Sequence, residues 1–149
     1  MQPLFLINRN NMYTWEDLRN IVNGFIDNLE FEREPRELYA PVRYTLEQSG
    51  KRVRPVLFLL AYNMYKECVR EALYPAVAVE TYHNYTLIHD DVVDESLLRR
   101  GKQTLNSIWG NKLAVLVGDY LYAKVLNILI DIDDKDILKT ISTVAQEMG

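Results

Sequence analysis

The chain has 149 residues, 48% of them hydrophobic and 26% charged, so it can bury a core as a single domain over residues 1–149. Its net charge is −4, which excludes a general positive field for nucleic acid or anionic membranes. Its one cysteine, Cys68, cannot form an internal disulfide, and we find no apolar run approaching the roughly 20 residues of a membrane span. We therefore expect a cytoplasmic protein that is not embedded in a membrane.

The first half of the chain is predicted to form three helices. Apolar residues recur three and four positions apart, which is the helical period, and no strand is predicted. Thr14 is an N-cap for a first helix over about 15–31. A second helix ends at Ser49-Gly50, where glycine suits the left-handed position after a helix. Pro55 lies in the first turn of a third, strongly apolar helix.

The second half is predicted to contain three further helices. Pro75 opens a helix that runs to about Asp94, and the polar, basic stretch 96–106 is interpreted as a connecting loop. A mostly apolar helix covers 111–130. A last helix covers about 135–148, with an N-cap in the acidic run before it. The fold class is therefore all-α.

Three carboxylates lie at the end of the long helix from Pro75. His83, Asp90 and Asp94 lie on one helical face, and Asp91 flanks the same edge. Carboxylate oxygens suit Mg²⁺, which takes one or two carboxylates and completes its shell with water and phosphates. A solvated acidic helix end explains these residues equally well by itself, although negative charge at a helix C-terminus opposes the helix dipole.

Two basic loops accompany the carboxylates in the sequence. Their cations are Lys51, Arg52, Arg54, Arg99, Arg100 and Lys102. Either loop alone is better interpreted as solvated surface. Arginine forks nevertheless match phosphate geometry, and a diphosphate bound through metal needs both signs of charge. The combination favours a diphosphate substrate.

Four sequence motifs, in this order and at this spacing, resemble the trans-prenyl diphosphate synthases, or polyprenyl synthetases. They are Gly50-Lys51-Arg52-Val53-Arg54-Pro55, His89-Asp90-Asp91-Val92-Val93-Asp94, Leu98-Arg99-Arg100-Gly101-Lys102 and Gly118-Asp119-Tyr120-Leu121. The resemblance spans about Leu38 to Gly149. It implies an antiparallel helical bundle of the isoprenoid synthase type, here truncated to its N-terminal half, and usually a homodimer.

The resemblance also implies an activity and a set of site residues. The activity is short-chain prenyl transfer, in which an allylic diphosphate ionises with the help of Mg²⁺ and isopentenyl diphosphate attacks the carbocation. Mg²⁺ and the allylic diphosphate are assigned to Asp90, Asp91, Asp94 and Arg99. Isopentenyl diphosphate is assigned to Lys51, Arg54, His83 and Arg100. Tyr85, five residues before Asp90, would limit product length, whereas His89 is interpreted as structural.

The sequence departs from this family in its last third. The family's second aspartate-rich motif is not found, because the one later acidic cluster, Asp131 to Asp136, has the wrong spacing. We therefore expect a fragment of such an enzyme. A noncatalytic partner subunit or isoprenoid-binding module stays open. A terpene cyclase is disfavoured because it has no second diphosphate to occupy Arg100 and the Lys51 to Arg54 loop.

Overall fold

The computed structural model describes residues 13–29, 36–48, 50–130, 132 and 134–148, and within them the fold is almost entirely helical. Seven α-helices, one 3₁₀ turn and one short hairpin follow in chain order. They are α1 (Trp15–Asp27), α2 (Arg36–Glu47), α3 (Val53–Asn63), the 3₁₀ turn (Val69–Ala72), α4 (Leu73–Val93), β1 (Leu98–Arg99), β2 (Lys102–Gln103), α5 (Leu105–Trp109), α6 (Asn111–Ile130) and α7 (Lys135–Met148). The all-α prediction is confirmed.

Helix α4 is the centre of the packing. Its 21 residues contact α6 along the most extensive helix–helix interface, and α1, α2, α3 and α5 also pack against it. Fully buried residues of the neighbouring helices, such as Leu18, Leu59, Val117 and Leu121, meet Val77 of α4 in the core. A helix surrounded in this way can hold side chains at its end rigidly.

The predicted helix caps are confirmed where the structure describes them. Thr14 Oγ1 accepts a hydrogen bond from the Asp17 N–H at 3.2 Å, and Asp17 Oδ2 accepts one from the Thr14 N–H at 2.9 Å. This reciprocal pair is a capping box. At α7, Asp134 Oδ1 accepts from the N–H groups of Asp136 and Ile137. Local chemistry thus sets both helix starts.

Two predicted boundaries need correction. The first helix ends at Asp27 rather than near residue 31, because Asn28 closes it: its N–H bonds back into the last turn and its side-chain amide donates to Gly24 O at 2.5 Å. Gly50 was predicted to take the left-handed position after α2, but it has no positive φ, and the left-handed residue between α2 and α3 is Arg52, with φ 51°. Ser49 lies outside the described residues.

The stretch 96–106 is not a plain loop, and the prediction of no strand was wrong. Leu98 pairs with Gln103 and Arg99 with Lys102 in an antiparallel hairpin. The two turn residues, Arg100 and Gly101, have φ of 52° and 78°, both positive as in a type I′ turn. Strands of two residues show no alternating pattern, so periodicity could not detect them.

Helix α6 also corrects the expectation that no apolar run approaches the length of a membrane span. By length and composition this 20-residue helix could cross a membrane. Seven of its residues are buried in the helical packing: Ala114, Val117, Gly118, Leu121, Val125, Ile128 and Leu129. Other apolar side chains of α6 are exposed, among them Leu116 and Ile130. The predicted homodimer is not tested by these features and stays a prediction.

Candidate functional site

The three carboxylates at the end of α4 occupy two different environments. Asp90 and Asp94 are exposed and lie one helical turn apart, whereas Asp91 is only 6% exposed. In the part of the chain that the structure describes, no three His, Cys, Asp or Glu side chains form a group that could hold a metal ion. The structure thus brings Asp90 and Asp94 to one face and turns Asp91 away.

Asp91 is paired with Arg99 of the hairpin. Arg99 Nε donates to Asp91 Oδ1 at 2.8 Å and to Oδ2 at 2.9 Å. Burial raises the pKa of Asp91, the Arg99 hydrogen bonds and charge oppose that rise, and the nearby carboxylates of Asp90 and Asp94 add to it. Arg99 therefore anchors the hairpin to α4 as well as bringing a cation to the site.

A second set of hydrogen bonds fixes the end of α4. The carbonyl oxygen of Asp91 accepts from the Ser96 N–H at 2.9 Å and from Asn106 Nδ2 at 3.2 Å. Asn106 Nδ2 also donates to Ser96 O at 3.0 Å, and Thr104 Oγ1 donates to the same oxygen at 2.8 Å. The two donors to the Asp91 carbonyl satisfy a group that the end of α4 leaves unpaired, and the two donors to the Ser96 carbonyl hold the segment that follows α4. Sequence reasoning missed Thr104 and Asn106, although both are small polar residues beside a turn.

A basic cavity of about 410 Å³ lies beside the start of α3. Its lining residues are Gly50, Lys51, Arg52, Val53, Arg54, Glu80, His83 and Arg100. The structure therefore brings together all four residues predicted to bind the second diphosphate. A Cβ on Gly50 would lie 2.5 Å from Arg100 Nη1, so glycine at this position lets the arginine of the hairpin approach the loop.

His83 is the titratable member of this cavity. Partial burial lowers its pKa, and the positive charge of Arg54 lowers it further. The negative charge of Glu80 raises the pKa of His83, whereas the positive charges of Arg100 and Arg99 lower it. A neutral imidazole has one N–H donor for an anion.

An aromatic cleft of about 490 Å³ lies on another side of α4. Its lining residues are Tyr82, Tyr85, Thr86, His89, Asp90, Tyr122, Ser142, Ala145 and Gln146. The Tyr85 ring lies 5.3 Å from Tyr122 and 5.5 Å from Tyr82 between centroids. Tyr85 is thus placed in the same cleft as Asp90. Tyr82 and Tyr122 were missed, although Tyr82 is three residues from Tyr85 in a helix.

His89 packs against Gly118 in the interface between α4 and α6. Its ring lies 4.6 Å from the Tyr85 ring, and Nε2 is buried with no hydrogen-bond partner among the described residues. A Cβ on Gly118 of α6 would overlap the imidazole. The glycine of the motif Gly118-Asp119 therefore makes room for the residue directly before Asp90.

Paired carboxylates at the end of a core helix, with a basic cavity and an aromatic cleft beside that helix, define the class of helical isoprenoid synthases. Solved structures of this class superpose on the chain. A geranylgeranyl pyrophosphate synthetase from Geoglobus acetivorans does so with a TM-score of 0.80 at 41% identity, over 88% of this chain and 44% of its own. A polyprenyl synthase from Caulobacter crescentus, complexed with calcium and isoprenyl diphosphate, has a TM-score of 0.78 at 31% identity, over 88% and 40%.

Residues 35–149 match the family model described as polyprenyl synthetase, and the chain belongs to that family. Among its relatives, the geranylgeranyl pyrophosphate synthase of Geoglobus acetivorans is 41% identical over 133 residues, which is 88% of this chain. The chain spans 42% of the length of that relative. The family resemblance drawn from the motifs is confirmed.

Gly118→Ala tests the close approach of α6 to His89. The added methyl group should displace the imidazole and destabilise the protein by about 1–3 kcal/mol, the usual effect of overpacking. Urea unfolding measures this loss. The matched control is Gly24→Ala in α1, where nothing lies within 4 Å of the added carbon and stability should rise by up to about 1 kcal/mol. Equal effects of the two substitutions would contradict the proposed packing.

The pKa of His83 is expected to lie below its ordinary 6.5. The unfolded chain then binds the proton more tightly, so His83 contributes stability that is present above about pH 6.5 and lost as the pH falls towards the folded pKa. An NMR titration measures the shift, with His83→Asn assigning the signal because the chain has only 2 histidines. Titration at or above 6.5 would rule out this environment.

Proposed function

We propose that the chain is part of a prenyltransferase that condenses isopentenyl diphosphate with an allylic diphosphate in isoprenoid biosynthesis. One observation carries the proposal: α4 holds the exposed carboxylates of Asp90 and Asp94 and also contributes His83 to a cavity containing Lys51, Arg54 and Arg100. The reaction needs two diphosphate sites. The carboxylates suit a diphosphate bound through a cation, and the basic cavity suits one bound directly. The family and the names of the relatives support the same reaction.

The donor set at the end of α4 fits Mg²⁺. Asp90 and Asp94 offer only oxygen, are accessible and lie one turn apart, and Mg²⁺ needs no more than one or two carboxylates when a substrate supplies phosphate oxygens. These two residues would hold the ion. When bound, Mg²⁺ supplies positive charge against the departing diphosphate. Asp91 contributes through Arg99, whose Nη groups have no hydrogen-bond partner among the described residues and would contact the allylic diphosphate.

The basic cavity would hold the diphosphate of isopentenyl diphosphate. Arg54 and Arg100 offer forked donors, Lys51 offers a mobile point charge, and the neutral imidazole of His83 offers one N–H. In the reaction, the allylic C–O bond breaks with both electrons leaving on diphosphate. The double bond of isopentenyl diphosphate then attacks the allylic carbocation to form the new C–C bond. The carbocation that results passes a proton to the released diphosphate, which restores a double bond in the product. Fixed donors at both diphosphates keep the reacting carbons together.

The aromatic cleft would receive the allylic hydrocarbon chain. The rings of Tyr82, Tyr85 and Tyr122 line the cleft beside Asp90, and a hydrocarbon chain bound against them would shield a carbocation from water. Aromatic faces also attract positive charge. Tyr85, between Tyr122 and His89, is the residue we propose as the limit on product length.

An assay with labelled isopentenyl diphosphate, an allylic diphosphate and Mg²⁺ tests the proposed activity. We expect extended product, reduced about 10²–10³-fold by Asp90→Ala because a group that stabilises departing charge is lost. Asp27→Ala is the matched control: Asp27 is also an aspartate in the last turn of a helix but lines neither cavity. Absence of product with intact pyrophosphate binding would favour a noncatalytic partner subunit instead.

Tyr85→Ala tests the length limit in the same assay. Replacing the ring by a methyl group deepens the cleft, so the mean product length should increase. Tyr65→Ala is the control, since Tyr65 is 85% exposed and lies outside the cleft. Unchanged product length in Tyr85→Ala would exclude this role.

A further inference from the structure

Arg52 differs from the other cations of its loop in being buried. Lys51 and Arg54 are exposed, whereas Arg52 is 5% exposed. Its guanidinium donates from all three nitrogens: Nε to Asn23 Oδ1 at 3.0 Å, Nη1 to Glu80 Oε1 at 2.9 Å and Nη2 to Leu46 O at 2.8 Å. All three guanidinium nitrogens of Arg52 therefore donate hydrogen bonds within the protein rather than to a ligand.

These three partners come from three different helices. Asn23 belongs to α1, Leu46 to the last turn of α2 and Glu80 to α4. The Leu46 carbonyl is one of those that a helix end leaves without an intrahelical partner. Arg52 therefore ties α1, α2 and α4 to the loop that precedes α3.

The backbone of Arg52 is held in a strained conformation. Its φ of 51° and ψ of 35° are left-handed, which costs a residue with a Cβ about 1–2 kcal/mol. The Arg52 carbonyl still accepts the first bond of α3, from the Val56 N–H at 3.1 Å. The side-chain bonds of Arg52 stabilise this turn, on either side of which Lys51 and Arg54 line the basic cavity.

Glu80 is a carboxylate in the wall of a cavity proposed to bind an anion. Its side chain is 7% exposed, and its partner Arg52 is 4% exposed. An unpaired carboxylate there would repel a diphosphate, and low solvent exposure would leave the repulsion poorly screened. Pairing with Arg52 cancels that charge, so the positive charges of Lys51, Arg54 and Arg100 remain available.

We propose that Arg52 is a positioning residue for the basic cavity: it neutralises Glu80 and holds the loop in the turn that presents Lys51 and Arg54 to a diphosphate, without contacting the diphosphate itself. The inference rests on the proposed function. It assigns different tasks to two arginines two residues apart in one motif.

A double-mutant cycle tests this assignment. The variants are Arg52→Gln, Glu80→Gln and the double substitution, and the probe is inorganic pyrophosphate, titrated by calorimetry below the unfolding transition of every variant. Arg52→Gln should weaken pyrophosphate binding roughly tenfold or more, because Glu80 is left unpaired. The double substitution, which removes both charges of the pair, should recover most of the affinity.

Arg54→Gln is the matched control within the same loop. Because Arg54 is an exposed ligand, Arg54→Gln should weaken pyrophosphate binding without lowering the urea midpoint. Adding Glu80→Gln to Arg54→Gln should leave binding weaker than in Glu80→Gln alone. Arg52→Gln should lower the midpoint, and Glu80→Gln should partly restore it. A merely structural role of Arg52 would lower the midpoint and leave the affinity of the folded protein unchanged.

Two outcomes would overturn the inference while leaving the proposed function in place. One is pyrophosphate affinity unchanged in Arg52→Gln. The other is a double variant as weak as Arg52→Gln, which would make Arg52 a ligand. Absence of pyrophosphate binding by the unmodified chain would overturn the proposed function of the cavity, and this inference with it.

Discussion

The end of α4 sets the main physical constraint on the structure. Three carboxylates lie where the helix dipole is already negative, so this end is stable only if other groups supply opposing charge and donors. The hairpin and α5 supply both: Arg99 bonds the Asp91 carboxylate, and Asn106 bonds the Asp91 carbonyl. The hairpin is therefore part of the site. Holding Asp91 in this way leaves Asp90 and Asp94 accessible.

The turns around the site are strained. Arg52, Glu95 and Arg100 are the three residues other than glycine with positive φ in the part of the chain that the structure describes. Arg52 and Arg100 line the basic cavity, and Glu95 follows Asp94 directly. Left-handed backbone at a residue with a Cβ persists only where surrounding contacts hold it. Here those contacts include the buried bonds of Arg52 and the strand pairing on both sides of Arg100.

One helix connects the two cavities because its residues point in different directions. His83 lines the basic cavity, while Tyr82, Tyr85 and Thr86 line the aromatic cleft. Successive residues of a helix are rotated by about 100°, so neighbours in sequence can serve separate ligands. In the proposed reaction, α4 thus contributes to binding both diphosphates and the hydrocarbon chain. Its burial among other helices keeps these positions fixed relative to one another.

The sequence by itself determined the helices with long apolar patterns, the capped starts at Thr14 and Asp134, the family, and the types of residue in the site. These features depend on short-range spacing and on motifs that are contiguous in the chain. Tertiary structure alone decided that Arg52 is buried and Arg54 exposed, and that Asp91 is paired. The Arg52–Glu80 pair joins residues 28 apart, and the space for His89 depends on Gly118 of another helix. Such contacts form only when the helices pack together, so a short-range pattern in the sequence does not predict them.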